Sequence, residues 1–124
     1  MREYSRANIT AAVNALVRGY EEETNLYLAM RRLTLSQKEM LAHGEDLSWV
    51  WDILDEKEDL LKMIEEIEGT MGEAKAVVLS QDPETCPNRW KLTPLLERLT
   101  EIIEELRVLE TGNAALLRRM PQAG

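Results

Sequence analysis

The side chains that could perform catalysis or bind a metal are few in this chain. Its 124 residues include one histidine, His43, and one cysteine, Cys86. A nucleophile–histidine arrangement could therefore use only His43, and zinc sites usually need several His or Cys ligands. Helical di-iron sites need Glu-x-x-His pairs, which are absent, and the six glycines are too scattered for a phosphate-binding loop. The sequence predicts a protein that is not an enzyme and has no catalytic, metal-binding or cofactor-binding residue.

Single polar and aromatic residues offer other chemistry. His43 precedes a glycine and is expected at a helix C-terminus, where an imidazole interacts favourably with the helix dipole. Cys86 lies in a polar loop with prolines near it, so an accessible, unactivated thiol is expected. Trp49 and Trp51 lie two residues apart on a helix, which predicts that at least one is partly exposed. Each of them, like Trp90, could anchor a partner, and packing at the flank of the bundle is the alternative.

Charge and composition exclude several classes of protein. Lys and Arg number 15 against 23 Asp and Glu, and the net charge of −8 disfavours nucleic acid and anionic membranes as partners. Aromatic residues make up 5% and Phe is absent, which favours helices over sandwiches or barrels. No apolar run approaches the roughly 18 residues of a membrane span, and the first residues lack the apolar core of a secretory signal. We therefore expect one cytoplasmic, all-α domain over 1–124, without membrane insertion.

Apolar residues at intervals of three and four predict three helices. They are expected at about 5–42, 47–79 and 93–120, with a loop over 80–92. Gly44 supplies the left-handed conformation that commonly ends a helix, and the connection there is short. The second helix must therefore run antiparallel to the first, which predicts a long helical hairpin with a shorter third, C-terminal helix, in a coiled-coil-like bundle.

Capping residues refine these boundaries. Asp46 is expected to cap the second helix, and Thr93 followed by Pro94 is expected to start the third. Ser36 with Glu39 fits a capping box, which would begin a new helix inside the first segment. Continuous apolar spacing across that site favours one unbroken helix.

The second helix carries an apolar row beside its main stripe. Leu47, Leu54 and Leu61 form this row at seven-residue intervals, and the row continues as Glu68 and Lys75. A wide apolar stripe contacts two neighbours and a narrow one contacts a single neighbour. We therefore expect the third helix to cover the first half of the second helix, and the second half to pair mainly with the first helix.

The third helix has the most regular apolar repeat in the chain. A shorter helix cannot cover two helices on the order of 50 Å long, so some apolar surface is left for another chain. We predict that the third helix binds a partner's amphipathic segment; the alternative is that its apolar residues are all core within the chain. The predicted partner-binding residues are Leu95, Leu96, Leu99, Ile102, Ile103, Leu106, Leu109, Asn113, Leu116 and Leu117.

Asn113 occupies a core-type position of the third helix, next to Gly112. A buried amide at such a position specifies the register of packed helices. The alternative is a frayed, solvated helix end. Lys57 is the one charged residue at a core-type position of the second helix.

Three stretches of the chain resemble the FlgN-type flagellar export chaperones. They are Met-Leu-Ala-His-Gly-Glu-Asp-Leu (40–47), Ile-Leu-Asp-Glu-Lys-Glu-Asp-Leu-Leu (53–61) and Gly-Asn-Ala-Ala-Leu-Leu (112–117). In that family a long first helix ends at a Gly/Asp turn, and the next helix carries a Lys-Glu-x-Leu-Leu motif. An Asn-x-x-Leu-Leu segment lies near the C-terminus. Length, acidity and helix order are similar along nearly the whole chain.

This resemblance implies a cytoplasmic chaperone of type III protein export in flagellum biogenesis. Members bind the C-terminal helices of hook–filament junction proteins, prevent their early assembly and deliver them to the export gate. Substrate binding is attributed to the C-terminal helical region, which maps onto 95–117. The gate is implied as a further partner, and no residue is assigned to it because no tyrosine follows Tyr27. The alternatives are a chaperone of another flagellar client, such as the filament cap, and a structural coiled-coil protein that forms a homodimer.

Overall fold

The computed structural model describes residues 4–44 and 46–119, and all regular structure in those ranges is helical. The elements are α1 (Arg6–Ala42), α2 (Leu47–Leu79), a short 3-10 helix (Arg89–Lys91) and α3 (Leu92–Arg119). The predicted all-α class, the long hairpin and the shorter third helix are confirmed.

Local chemistry accounts for the ends of the first two helices. The Ser5 hydroxyl accepts a hydrogen bond from the Asn8 N–H at 3.1 Å and caps α1. Gly44 has a φ of 68°, the left-handed conformation expected after a helix C-terminus. The Asp46 carboxylate accepts a hydrogen bond from the Ser48 N–H at 2.9 Å at the start of α2. α1 is continuous, as its apolar spacing predicts.

The start of α3 differs from its prediction by one residue. The sequence favours Thr93 as the cap, but the helix begins at Leu92. The preceding 3-10 helix leads directly into it, and the Leu92 N–H donates to the Arg89 carbonyl. Pro94 lies in the first turn, where its missing N–H costs no helical hydrogen bond. Met120, the predicted last residue of the helix, lies outside the described residues.

α1 is the central element of the fold. It packs along both α2 and α3, whereas α2 and α3 scarcely approach each other within the described residues. One apolar cluster joins the first turns of α1 to the end of α2 and the start of α3. A second cluster, at mid-length, contains Met30, Ile64, Ile102 and Leu106 from all three helices. α3 therefore runs parallel to α1 and antiparallel to α2.

A glycine permits close packing of α1 against α2. A Cβ atom at Gly19 would overlap the sulfur of Met71, which is buried against this point. The position therefore requires the absence of a side chain unless Met71 moves.

Cys86 is buried, so the expected accessible thiol is wrong. The Cys86 N–H donates to the Asp82 carbonyl at 3.0 Å, which closes a turn in the loop after α2. The sulfur then joins the apolar cluster that contains Ile9, Val13 and Leu92. Burial of this loop residue depends on how the loop folds over the end of the bundle, which its polar neighbours in sequence do not indicate.

The imidazole and the tryptophans have the expected environments. The Nδ1–H of His43 donates to the Glu39 carbonyl at 2.7 Å, at the C-terminus of α1. Trp49 and Trp51 are both exposed near the start of α2, and Trp90 is exposed in the 3-10 helix. The three aromatic rings therefore present much of their surface to solvent at opposite ends of the bundle.

Candidate functional site: a groove between the second and third helices

A groove runs between α2 and α3, with α1 beneath it. Both helices pack on α1, but their facing apolar rows do not close on each other. Five large aliphatic side chains of these rows are between 37% and 45% exposed. They are Leu47 and Leu61 on α2, and Leu96, Ile103 and Leu117 on α3. We call this surface the α2–α3 groove.

The α3 wall of the groove is a row at seven-residue intervals. Leu96, Ile103, Glu110 and Leu117 succeed one another in this row and share one face of the helix. Glu110 reaches across to form an ion pair with Lys57 of α2. Leu96 lines a cavity together with residues of α2. The row therefore faces α2.

The α2 wall is the row that begins with Leu47 and Leu54. Lys57, which reaches Glu110, lies one helical turn from both Leu54 and Leu61, so this face of α2 is turned towards α3. We expected the third helix to cover the row, and that expectation is wrong for Leu47 and Leu61. The reason is that α3 lies along α1 and does not pack closely on α2.

The structure divides the predicted partner-binding residues into three groups. Leu99, Ile102, Leu106 and Asn113 are buried within the chain. A second group, Leu95, Leu109 and Leu116, is half-buried. The third group, Leu96, Ile103 and Leu117, is exposed along the groove. Only the third group, with Leu47 and Leu61 of α2, leaves a large part of its side chains for a partner. The seven-residue spacing of the α2 row was the signal for those two residues.

A buried polar cluster joins the three helices within the groove, between Leu47 with Leu117 on one side and Leu61 with Ile103 on the other. The Lys57 ammonium donates to Gln37 Oε1 at 3.1 Å and pairs with the Glu110 carboxylate. Asn113 Nδ2 donates to the Thr34 carbonyl at 3.0 Å and to Gln37 Oε1 at 3.3 Å. Asn113 is 2% exposed, so the alternative of a frayed, solvated end is wrong. These directional contacts fix the register of α3 on α1.

A second polar cluster lies farther towards the start of α1. Glu23 is 1% exposed, and Glu68 and Lys75 form an ion pair beside it on α2. Burial, with a smaller contribution from Glu68, raises the pKa of Glu23 from 4.5 to about 8. Hydrogen bonding with Glu23 and the charge of Lys75 lower the pKa of Glu68. Glu23 is therefore largely protonated at neutral pH.

The walls of the groove are mainly aliphatic and offer van der Waals contacts to a partner. Within residues 4–44 and 46–119, no group of three or more His, Cys, Asp or Glu side chains is placed to hold a metal ion. No helix in the same ranges is long and apolar enough to cross a bilayer. Aliphatic walls on both sides of the groove suit the apolar face of an amphipathic helix laid between α2 and α3.

Comparison with known proteins found no matching family model, no matching curated protein and no matching solved structure.

Proposed function

We propose that this protein is a flagellar type III export chaperone. It binds the C-terminal helical segment of a hook–filament junction protein in the α2–α3 groove, prevents early assembly and delivers the client for export. The observation that supports this most is the pair of facing apolar rows, which their own bundle leaves partly exposed. An amphipathic client helix could bury both rows at once.

The size of the apolar surface suits a client that must be released. Full burial of a leucine or isoleucine contributes about 1.5–3 kcal/mol, so covering the exposed part of each groove residue contributes on the order of 1 kcal/mol. Ordering a free segment into a helix costs about 2–5 kcal/mol or more. The five groove residues contribute about as much as this ordering costs, so burial of the client's own apolar face has to supply the net affinity.

The flagellar assignment rests on the resemblance to the FlgN-type chaperones. In this chain the Lys-Glu-x-Leu-Leu stretch ends at Leu61, and the Asn-x-x-Leu-Leu stretch ends at Leu117. Both terminal leucines belong to the exposed rows of the α2–α3 groove. The polar residues of the same stretches, Lys57 and Asn113, belong to the buried polar cluster within the groove. The resembling stretches therefore contribute to the proposed site.

Calorimetric titration with a synthetic peptide of a junction protein's C-terminal helix tests the proposal. Ile103→Glu is expected to weaken binding at least about tenfold, because a client helix would bury the new carboxylate. Val108→Glu is the matched control, since Val108 is 69% exposed on a different face of α3. Leu99→Glu would not distinguish lost binding from unfolding, because Leu99 is buried in the core. The same holds for a charge at Ile9.

A test variant and a matched control are also available on the α2 wall of the groove. Leu61→Glu is expected to weaken peptide binding to a similar extent. Met63→Glu is expected to leave it unchanged, because Met63 is 51% exposed and lines a depression formed by α1 and α2 alone. Circular dichroism of each variant establishes that the fold is intact.

Three outcomes contradict the proposal. A folded protein that binds no junction peptide excludes it. A stable homodimer that is indifferent to the peptide indicates the structural coiled-coil protein, with a second copy in the groove. Tighter binding of a filament-cap peptide than of junction peptides would assign the chaperone to that client.

A further inference from the structure

A small cavity lies at the end of the α2–α3 groove where α2 ends and α3 begins. Its volume is about 280 Å³, and all three helices contribute to its walls. Aliphatic side chains form most of the lining: Leu16, Val78, Leu79, Leu92 and Leu96. Small-molecule sites usually span about 300–1,000 Å³, so this cavity suits one or two side chains of a larger partner.

The charged residues that line the cavity are both cationic, although the chain as a whole is acidic. Lys75 and Arg89 both line it, together with Tyr20 and Thr93. Lys75 forms an ion pair with Glu68, and its ammonium lies 5.9 Å from the centre of the Tyr20 ring. Arg89 has no ion pair among residues 4–44 and 46–119. Aliphatic walls with an unpaired guanidinium favour an apolar group that carries a carboxylate.

We propose that this cavity receives the chain terminus of the bound client. An apolar side chain from the client's last turn fills the cavity, and the terminal α-carboxylate pairs with Arg89, with Lys75 beside it. The inference rests on the proposed function, because a client bound through its C-terminal segment brings a free carboxylate to the groove. The inference adds to that function the contacts that recognise the C-terminal end of the client.

The position of the cavity also sets the direction of the client helix. The C-terminus of a helix carries a partial negative charge, which favours the end of the groove near Arg89 and Lys75. The client would then run parallel to α2 and antiparallel to α3. Its chain end would lie beside Leu79 and Trp90, which are 78% and 72% exposed.

The test compares one junction-protein peptide in two forms, with a free C-terminal acid and with a C-terminal amide. Wild-type protein is expected to bind the acid about tenfold more tightly, because the amide removes a charge-assisted contact. Arg89→Gln is expected to remove most of this difference by weakening only the acid form. Arg89→Lys, which keeps the charge and loses the planar fork, is expected to restore part of it.

The matched control is Lys91→Gln, which makes the same change of charge in the same 3-10 helix. The Lys91 ammonium lies over the Trp90 ring at 5.7 Å, and Lys91 does not line the cavity. This variant is expected to keep the preference for the acid. Equal affinities of the acid and the amide for the wild-type protein would overturn the inference and leave the proposed function intact. Failure of both peptides to bind would overturn the proposed function, and the inference with it.

The indole resonances of the tryptophans provide a second measurement, which reports the direction of the client helix in the groove. Trp51 and Leu79 lie about 40 Å apart along α2 at 1.5 Å per residue. A nitroxide in the last turn of the peptide is expected to broaden the indole resonance of Trp90 and spare those of Trp49 and Trp51. Broadening of Trp49 and Trp51 with Trp90 spared would overturn the inferred direction and with it the carboxylate site.

Discussion

The two ends of α3 are held by different chemistry. At its start, Leu92 packs into an apolar cluster with the first turns of α1 and the end of α2. Towards its end, Asn113 and Glu110 make hydrogen bonds and an ion pair to α1 and α2. Apolar burial supplies free energy without direction, whereas hydrogen bonds between buried groups are directional. The start of α3 therefore supplies stability, and the end supplies register.

The largest effect is expected at the apolar end. Leu16→Ala is expected to lower the free energy of unfolding by about 2–5 kcal/mol, because it leaves a cavity among packed side chains. Leu16 is 3% exposed in the cluster that also contains Leu92. Urea denaturation measures the change. If Leu16→Ala lowers the free energy of unfolding by less than Asn113→Ala does, the apolar end is not the main source of stability.

A smaller effect is expected at the polar end. Asn113→Ala is expected to cost about 1–3 kcal/mol, because the Thr34 carbonyl and Gln37 Oε1 each lose a buried donor. Hydrogen exchange should also become faster in the last turns of α3, with little change near Leu92. Uniform loss of protection along the whole helix would show that the two ends are not held separately.

A third effect, which depends on pH, is expected away from α3, at Glu23 of α1. The pKa of Glu23 in the folded chain, about 8, lies above its ordinary 4.5, so the folded state retains a proton that the unfolded state releases between those values. Stability from this group is therefore lost as pH rises from about 5 to about 8. Glu23→Gln, which does not titrate, is expected to gain at least about 1 kcal/mol relative to wild type across that interval.

Urea titrations at several pH values measure this slope. Glu21→Gln is the control, because Glu21 is exposed on the same helix and its neutralisation should leave the slope unchanged. Parallel pH profiles of wild type and Glu23→Gln would show that the buried carboxyl does not hold the extra proton.

Local signals in the sequence predicted the helices well. The apolar spacing of α2 and the residues around Gly44 gave the bounds Leu47–Leu79, which the structure confirms. These features are local, since capping and periodicity act within a few residues. The one-residue error at Leu92 arose where a 3-10 helix replaced a side-chain cap.

The local sequence patterns could not predict how closely α3 packs against α2. A stripe of apolar residues shows which face of a helix is buried, but it does not show which neighbour covers that face. The row of Leu47 and Leu61 therefore predicted a contact that the structure leaves open, and this open row became one wall of the candidate site. The buried network of Lys57, Gln37 and Asn113 was likewise visible only as separate polar residues at core-type positions.

The burial of Cys86 gives the molecule a built-in reporter of its own opening. The thiol is the only cysteine in the chain, and it is packed where the loop closes over the bundle. A thiol-specific alkylating reagent reacts slowly with a buried thiol and faster when that end opens, so the labelling rate reports the opening equilibrium. Since the cavity with Arg89 lies at the same end, a docked client should slow the labelling, and one chemical probe would follow both folding and occupancy.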